Sequence, residues 1–210
     1  MEQKSNYDAM LLKMEKEFLN YDQSSMVSRL GLKADADYIY VNFAGAPYRI
    51  NRRTGHAEWS LDGFKTIHPG RYNDAMTIYD MLCFSPSPIV LSGKFAPVQG
   101  LGGANSLSPG ESMFHDSACF FDKHQDGFKS ACLSLGGVTS APGDIAYKIP
   151  LFDFLPVILQ FWESDEEFGP VLKLMWDTNI LRYLHFETTF FAAGHLFSRI
   201  RELIVNPIKT

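Results

Sequence analysis

The sequence predicts an α+β fold, with an antiparallel β-sheet of meander strands packed against several helices in a single compact domain spanning residues 1–210. Three observations predict it. Residues 38–50 read Y-I-Y-V-N-F-A-G-A-P-Y-R-I, with β-formers on both sides of a turn. Residues 7–20, 71–84 and 187–203 place apolar side chains at helical spacing. The strand-like runs do not alternate regularly with the helical ones, which disfavours a doubly wound parallel sheet.

The first helix follows from Met10, Leu11, Met14, Phe18 and Leu19, with Lys13, Glu15, Lys16 and Glu17 filling the other positions. A short second helix covers 26–30 and is stopped by Gly31. Tyr38–Phe43 forms a strand, Gly45-Ala46-Pro47 a turn and 48–51 the returning strand. Thr54-Gly55 turns the chain again into a third strand at 56–61. Tyr72, Ala75, Met76, Tyr79, Met81, Leu82 and Cys83 give the helix at 71–84, and Ser85-Pro86-Ser87-Pro88 ends it, since proline cannot extend a helix. A strand starts at 89–91. Residues 97–110 form a Gly- and Pro-rich loop, long enough to act as a lid over a pocket. Ser108 is placed to N-cap a helix through 111–121, and Gly127 to break it. Strands at Ile145–Phe152, 157–162 and 172–176 follow. The last helix, 187–203, has an apolar side of Phe190, Ala193, Phe197, Ile200 and Ile204.

Composition bounds the function. A chain of 210 residues buries on the order of 70% of its unfolded surface, enough for a self-sufficient core, and 17 phenylalanines make that core aromatic-rich. The net charge of −5 comes from interspersed charges with no basic stripe, which argues against nucleic acid as a partner. Cys83, Cys119 and Cys132 are odd in number, scattered and without a C-x-x-C, as in a reducing compartment. The first residues carry no apolar signal segment. The longest apolar run, 154–162, is interrupted by Pro156 and Gln160 and falls far short of the ~20 residues of a membrane span. The expectation is a soluble cytoplasmic protein.

The richest stretch for chemistry is 153–195. An apolar run meets Glu163, Asp165, Glu166 and Glu167, resumes, and meets Asp177. Were the strand to continue, Glu163, Asp165 and Glu167 would share a face. With Asp177 they could hold Mg²⁺, Ca²⁺ or Mn²⁺, which favour oxygen ligands. The competing readings are a solvated turn capped by Asp165 or Glu166, with Phe168 plugging the core, and an ion pair with Arg182 or another base. Trp162 and Trp176 are expected as core or pocket-wall residues beside the acids.

Other constellations are weaker. His115, Cys119 and Asp122 share a helical face and could supply part of a zinc site, or a Cys–His nucleophile pair, against a plain reading of a buried Cys119 beside an edge-exposed His115. His185, Glu187 and His195 are spaced too widely for one metal and read as a solvated face, with His195 on the wet side. Gly100-Leu101-Gly102-Gly103 lacks a Walker lysine and a full G-x-G-x-x-G. No G-x-S-x-G, H-E-x-x-H or EF-hand spacing occurs.

Gly143-Asp144, Pro150, Trp162-Glu163, Asp165-Glu166-Glu167-Phe168, Trp176-Asp177 and Tyr183-Leu184 occur in the order of a Gly-Asp pair, a Pro-containing strand, an acidic motif, an aromatic-Asp and a Tyr-Leu before a helix. In these residues the chain resembles a bacterial and archaeal family, domain of unknown function 3786, whose activity is unassigned. The resemblance is firmest over 143–190. It implies that some relatives carry an iron–sulfur domain, but three scattered cysteines cannot build a Cys₄ cluster from one copy of this chain.

No complete catalytic set is visible. The sequence therefore points to a binding or accessory module holding a small molecule or a protein partner. Its site would be walled by Trp162 and Trp176, edged by Glu163, Asp165, Glu167 and Asp177, and covered by the 97–110 loop. The alternative is a divalent-metal-dependent hydrolase with Asp165, Glu167 and Asp177 as ligands or acid/base groups. No cofactor is evident beyond such a cation, and a homodimer is compatible with the acidic loop as an interface edge.

Overall fold

A computed structural model of the chain describes residues 6–86, 88–101 and 114–207. The fold is α+β with antiparallel strand pairing. The chain divides into two compact units, residues 1–90 with 182–192, and residues 91–181 with 193–210.

The first unit holds α1 (Asn6–Phe18), α2 (Gln23–Leu30), β1 (Lys33–Ala34), β2 (Tyr38–Phe43), β3 (Ala46–Asn51), β4 (Ala57–Trp59), β5 (His68–Pro69) and α3 (Tyr72–Phe84). β2 to β4 form the expected three-strand meander, the short β5 adds a fourth strand, and β1 also pairs with β2. The period-2 pattern decides the faces. Ile39, Val41 and Phe43 of β2 and Ala46, Tyr48 and Ile50 of β3 are buried, while their neighbours face outward. The β2–β3 turn sits earlier than Gly45-Ala46-Pro47. Phe43 pairs with Ala46, so the loop is only Ala44-Gly45, both at positive φ (47° and 72°), which is the backbone a two-residue hairpin demands. Pro47 lies inside β3 opposite Asn42.

α2 is bounded as its sequence dictates. Asp22 accepts the N–H groups of Ser24 and Ser25, and Gly31 at φ 63° closes the other end. α1 packs on α3. Phe18 of α1 and Tyr79 of α3, both fully buried, meet at 5.9 Å between ring centroids. Burying each such ring contributes on the order of 2 kcal/mol.

The second unit holds β6 (Phe95–Pro97), α4 (His115–Asp122), α5 (Gln125–Ser134), β7 (Val138–Thr139), β8 (Ile145–Phe152), β9 (Leu155–Trp162) and β10 (Val171–Asp177). β8, β9, β10 and β6 pair antiparallel in that order, with β7 against β8. Residues 89–91, expected as a strand, are not one; the strand forms later, at β6. Ser108 and residues 102–110 of the expected lid lie outside the described residues. The helical break falls at Lys123-His124, before α5, and not at Gly127. Gly127 lies inside α5, where an added Cβ would meet Ile204 Cγ2 at 3.2 Å. The phenylalanine-rich core is here: Phe121 stacks on Phe128 at 4.5 Å, and Phe128 meets Phe161 of β9 edge-on at 5.5 Å.

α6 (Phe186–Val205) has residues in both units. Its buried positions include Ala192, Ala193, Leu196, Phe197 and Ile200. They also include His195 and Arg199, so His195 is not on a wet side. None of the described helices is long and apolar enough to cross a membrane.

Candidate functional site

The acidic residues after Trp162 form the connection from β9 to β10, and their geometry is that of an exposed turn. Asp165 Oδ1 accepts the N–H groups of Glu167 (2.8 Å) and Phe168 (2.7 Å), which holds its carboxyl below the usual range. Glu163, Asp165, Glu166 and Glu167 are exposed, and Phe168 is 68% exposed, so it plugs no core. The turn is tied from outside. Asp144 accepts the Glu163 N–H at 2.9 Å, and Asp122 accepts both the Ser164 N–H (3.1 Å) and its hydroxyl (2.6 Å).

Trp162 and Trp176 lie on neighbouring strands but not together. Trp162 is half-buried, with Lys173 Nζ 4.9 Å from its ring, whereas Trp176 is buried opposite Val157. Asp177 is separated from the turn by the whole of β10. Val171 pairs with Trp162 at one end and Asp177 with Phe95 at the other, a span of about 20 Å along an extended strand. The structure therefore does not gather Asp165, Glu167 and Asp177 around one ion.

Asp177 is fully buried and engaged. Oδ1 accepts from the Ser92 N–H, the Ser92 hydroxyl and the Asn179 N–H, and Oδ2 accepts from the Gly93 N–H at 2.8 Å. Burial pushes its carboxyl up, but these donors outweigh it and the net shift is downward. Its role is to pin the 92–93 segment to the end of β10.

His115 Nε2 and Cys119 Sγ do meet, at 3.5 Å, on α4, while Asp122 turns to Ser164. Among the described residues, no three His, Cys, Asp or Glu side chains are gathered as a metal site.

A second place carries more chemistry. In the first unit a cavity of about 420 Å³ opens between the facing sides of α1 and α3. Met14 and Glu17 of α1 line it, with Tyr21 just beyond the helix end. From α3 come Met76, Asp80, Cys83 and Phe84, at the i, i+4, i+7, i+8 positions of one face. His185 and Thr188 close the third side.

Asp80 fixes His185 twice. Oδ1 lies 2.5 Å from Nδ1 and Oδ2 accepts the His185 backbone N–H at 2.8 Å. Phe84 lies against the imidazole at 4.0 Å between centroids. The ring is thereby held in position and orientation although its side chain is 57% exposed. An ionised carboxylate only accepts, so the proton of a neutral imidazole sits on Nδ1 and leaves Nε2 as an acceptor.

Cys83 is not an activated nucleophile. Burial pushes its thiol up to about 12, with Asp80 and Glu17 adding to the shift and Arg29 opposing it. Arg29, the cation that opposes the shift, donates to the Leu82 carbonyl.

Of these cavity residues the sequence weighs only His185, in a metal reading with Glu187 and His195 that it sets aside for a solvated face. The helical period shows that Met14 and Met76 share faces with other apolar residues. The available signal was Asp80, a charge set between Tyr79 and Met81 and in helical register with Met76 and Cys83.

Comparison with known proteins gives a family and little more. The chain has no significant match among curated proteins or among solved structures. A family model described as Domain of unknown function (DUF3786) matches residues 22–199, which include α3, β8 to β10 and most of α6. On that match the chain belongs to the DUF3786 family.

Proposed function

We propose that the protein is a small-molecule binding module whose site is the α1–α3 cavity. The observation that carries the reading is one concave space of about 420 Å³ where apolar walls and a few fixed polar groups converge. That volume lies in the range of ligand pockets, and the mixture of lining is what such pockets use: apolar area for affinity, sparse polar groups for orientation. The Asp80–His185 pair adds preorganisation, because the ligand does not have to order the imidazole on arrival. The acidic turn after Trp162 supports the reading less, since its carboxylates are exposed.

The test is a fragment screen read by NMR on protein labelled at the methionine methyls. Binders are expected to shift Met14 and Met76 together and to leave residues 163–167 unmoved. If a broad fragment set moves neither methyl, the cavity is not a binding site.

A further inference from the structure

The cavity is chemically one-sided, and this narrows what it takes. We propose that its ligand is an organic amine, an apolar alkyl or aryl body carrying a protonated nitrogen. The inference rests on the reading of the cavity as the binding site.

Charge comes first. The side chains lining the cavity include two carboxylates, Glu17 and Asp80, and neither lysine nor arginine. Arg29 is not part of the lining and donates to the Leu82 carbonyl, but it keeps its charge and acts on Cys83 of the wall. A carboxylate or phosphate ligand would meet two like charges and no basic side chain in the lining, whereas an ammonium meets two attractive charges there, which outnumber the single nearby Arg29 guanidinium.

Hydrogen-bonding capacity points the same way. Both carboxylates accept only, and in its neutral form His185, with its Nδ1–H committed to Asp80, offers Nε2 as a further acceptor. Such a set is satisfied by a donor-rich ligand, and an ammonium brings up to three N–H groups with no acceptor.

The apolar lining fits the rest of the molecule. Tyr21 and Phe84 present aromatic surface, whose π-faces attract cations. Met14 and Met76 are unbranched and polarizable, suited to wrapping an alkyl or aryl body.

The experiment compares three probes of similar shape and different charge: 2-phenylethylamine, 2-phenylethanol and 3-phenylpropanoate. Each is titrated by calorimetry at constant ionic strength, with the Met14 and Met76 methyls as site reporters. The amine is expected to bind at least tenfold more tightly than the alcohol, and the carboxylate not at all. Amine affinity should fall as salt is raised. Glu17→Gln, an exposed position whose loss leaves the fold intact, should weaken the amine several-fold and leave the alcohol unchanged. If the alcohol or the carboxylate moves the methyls and binds as well as the amine, the amine assignment is overturned while the cavity stands as a binding site. Silence of both methyls to all three probes also overturns it, and the broader fragment screen then decides separately whether the cavity binds anything.

Discussion

Asp80 and His185, 105 positions apart, are joined at 2.5 Å through Oδ1 and Nδ1, with a second bond from the His185 backbone to the same carboxylate. Two bonds to one side chain fix both the main chain entering α6 and the direction of the ring. Hydrogen bonds to a charged group stabilise by about 1.5–3 kcal/mol, and the exposure of this imidazole places the pair at or below the lower end.

Asp80→Ala should therefore lower stability by about 1–2 kcal/mol, seen as a reduced urea midpoint at unchanged slope. A double-mutant cycle with His185→Ala should return a coupling near 1 kcal/mol. Additive single effects would show that the two side chains do not support each other.

This pair also marks where the sequence stops being readable. The 3.6 period shows that Met14 and Glu17 lie near one face of α1, and Met76, Asp80 and Cys83 on one face of α3, but not that those faces oppose each other. A period describes one element, and a cavity belongs to several. β8 to β10 were legible because each is an apolar run bounded by turn residues. Pro47 reads as a breaker and draws the expected β2–β3 turn too late in the chain, whereas position 47 of β3, opposite Asn42, accepts a residue without an N–H. The acidic turn drew attention because four carboxylates beside a core strand look costly, and the cost vanishes once the chain leaves the strand and exposes them.

Gly31 and Gly55 test the same backbone conformation in two surroundings. Both have positive φ, at 63° and 77°. A Cβ on Gly31 meets nothing within 4 Å, so Gly31→Ala should cost about 1–2 kcal/mol, the backbone strain alone. A Cβ on Gly55 would lie 2.2 Å from the Glu15 carbonyl oxygen, in the main chain of α1. Gly55→Ala must displace that helix or the turn, and should cost on the order of 3 kcal/mol or more. Equal losses by thermal unfolding would mean that α1 does not press on this turn.

Asp165 and Asp177 should behave as unrelated residues. Asp165→Ala removes two bonds in an exposed turn and should change stability by about 0.5 kcal/mol or less. Asp177→Ala strands several donors around a buried site and should cost about 3 kcal/mol or more. Since β10 separates the two, millimolar Mn²⁺ or Mg²⁺ should produce no melting shift that depends on both. A shift abolished by either substitution alone would contradict the separation and return the metal-ligand reading to this end of the chain.

Two buried carboxyls should give stability opposite pH dependences. Asp177 sits below its ordinary value in the folded protein, so its contribution is complete above about pH 4, where the unfolded residue is ionised, and is lost as pH falls through the depressed folded value. Asp74 is the reverse. Burial raises its carboxyl despite the 2.6 Å bond from the Tyr48 hydroxyl and the Ala75 N–H. Folding therefore favours protonated Asp74, and a penalty grows as pH rises from about 4 through the raised folded value, then levels. Asp74→Asn retains an oxygen for Tyr48 and has no charge to desolvate. Its stability relative to the parent should rise between pH 4 and pH 7. Asp177→Asn instead turns an N–H₂ toward the Gly93 N–H or the Ser92 donors. Its deficit should be largest near pH 7 and shrink on acidification below pH 4. Urea midpoints across this range separate the two, and parallel profiles for both variants would show that these carboxyls are not the groups coupling stability to pH.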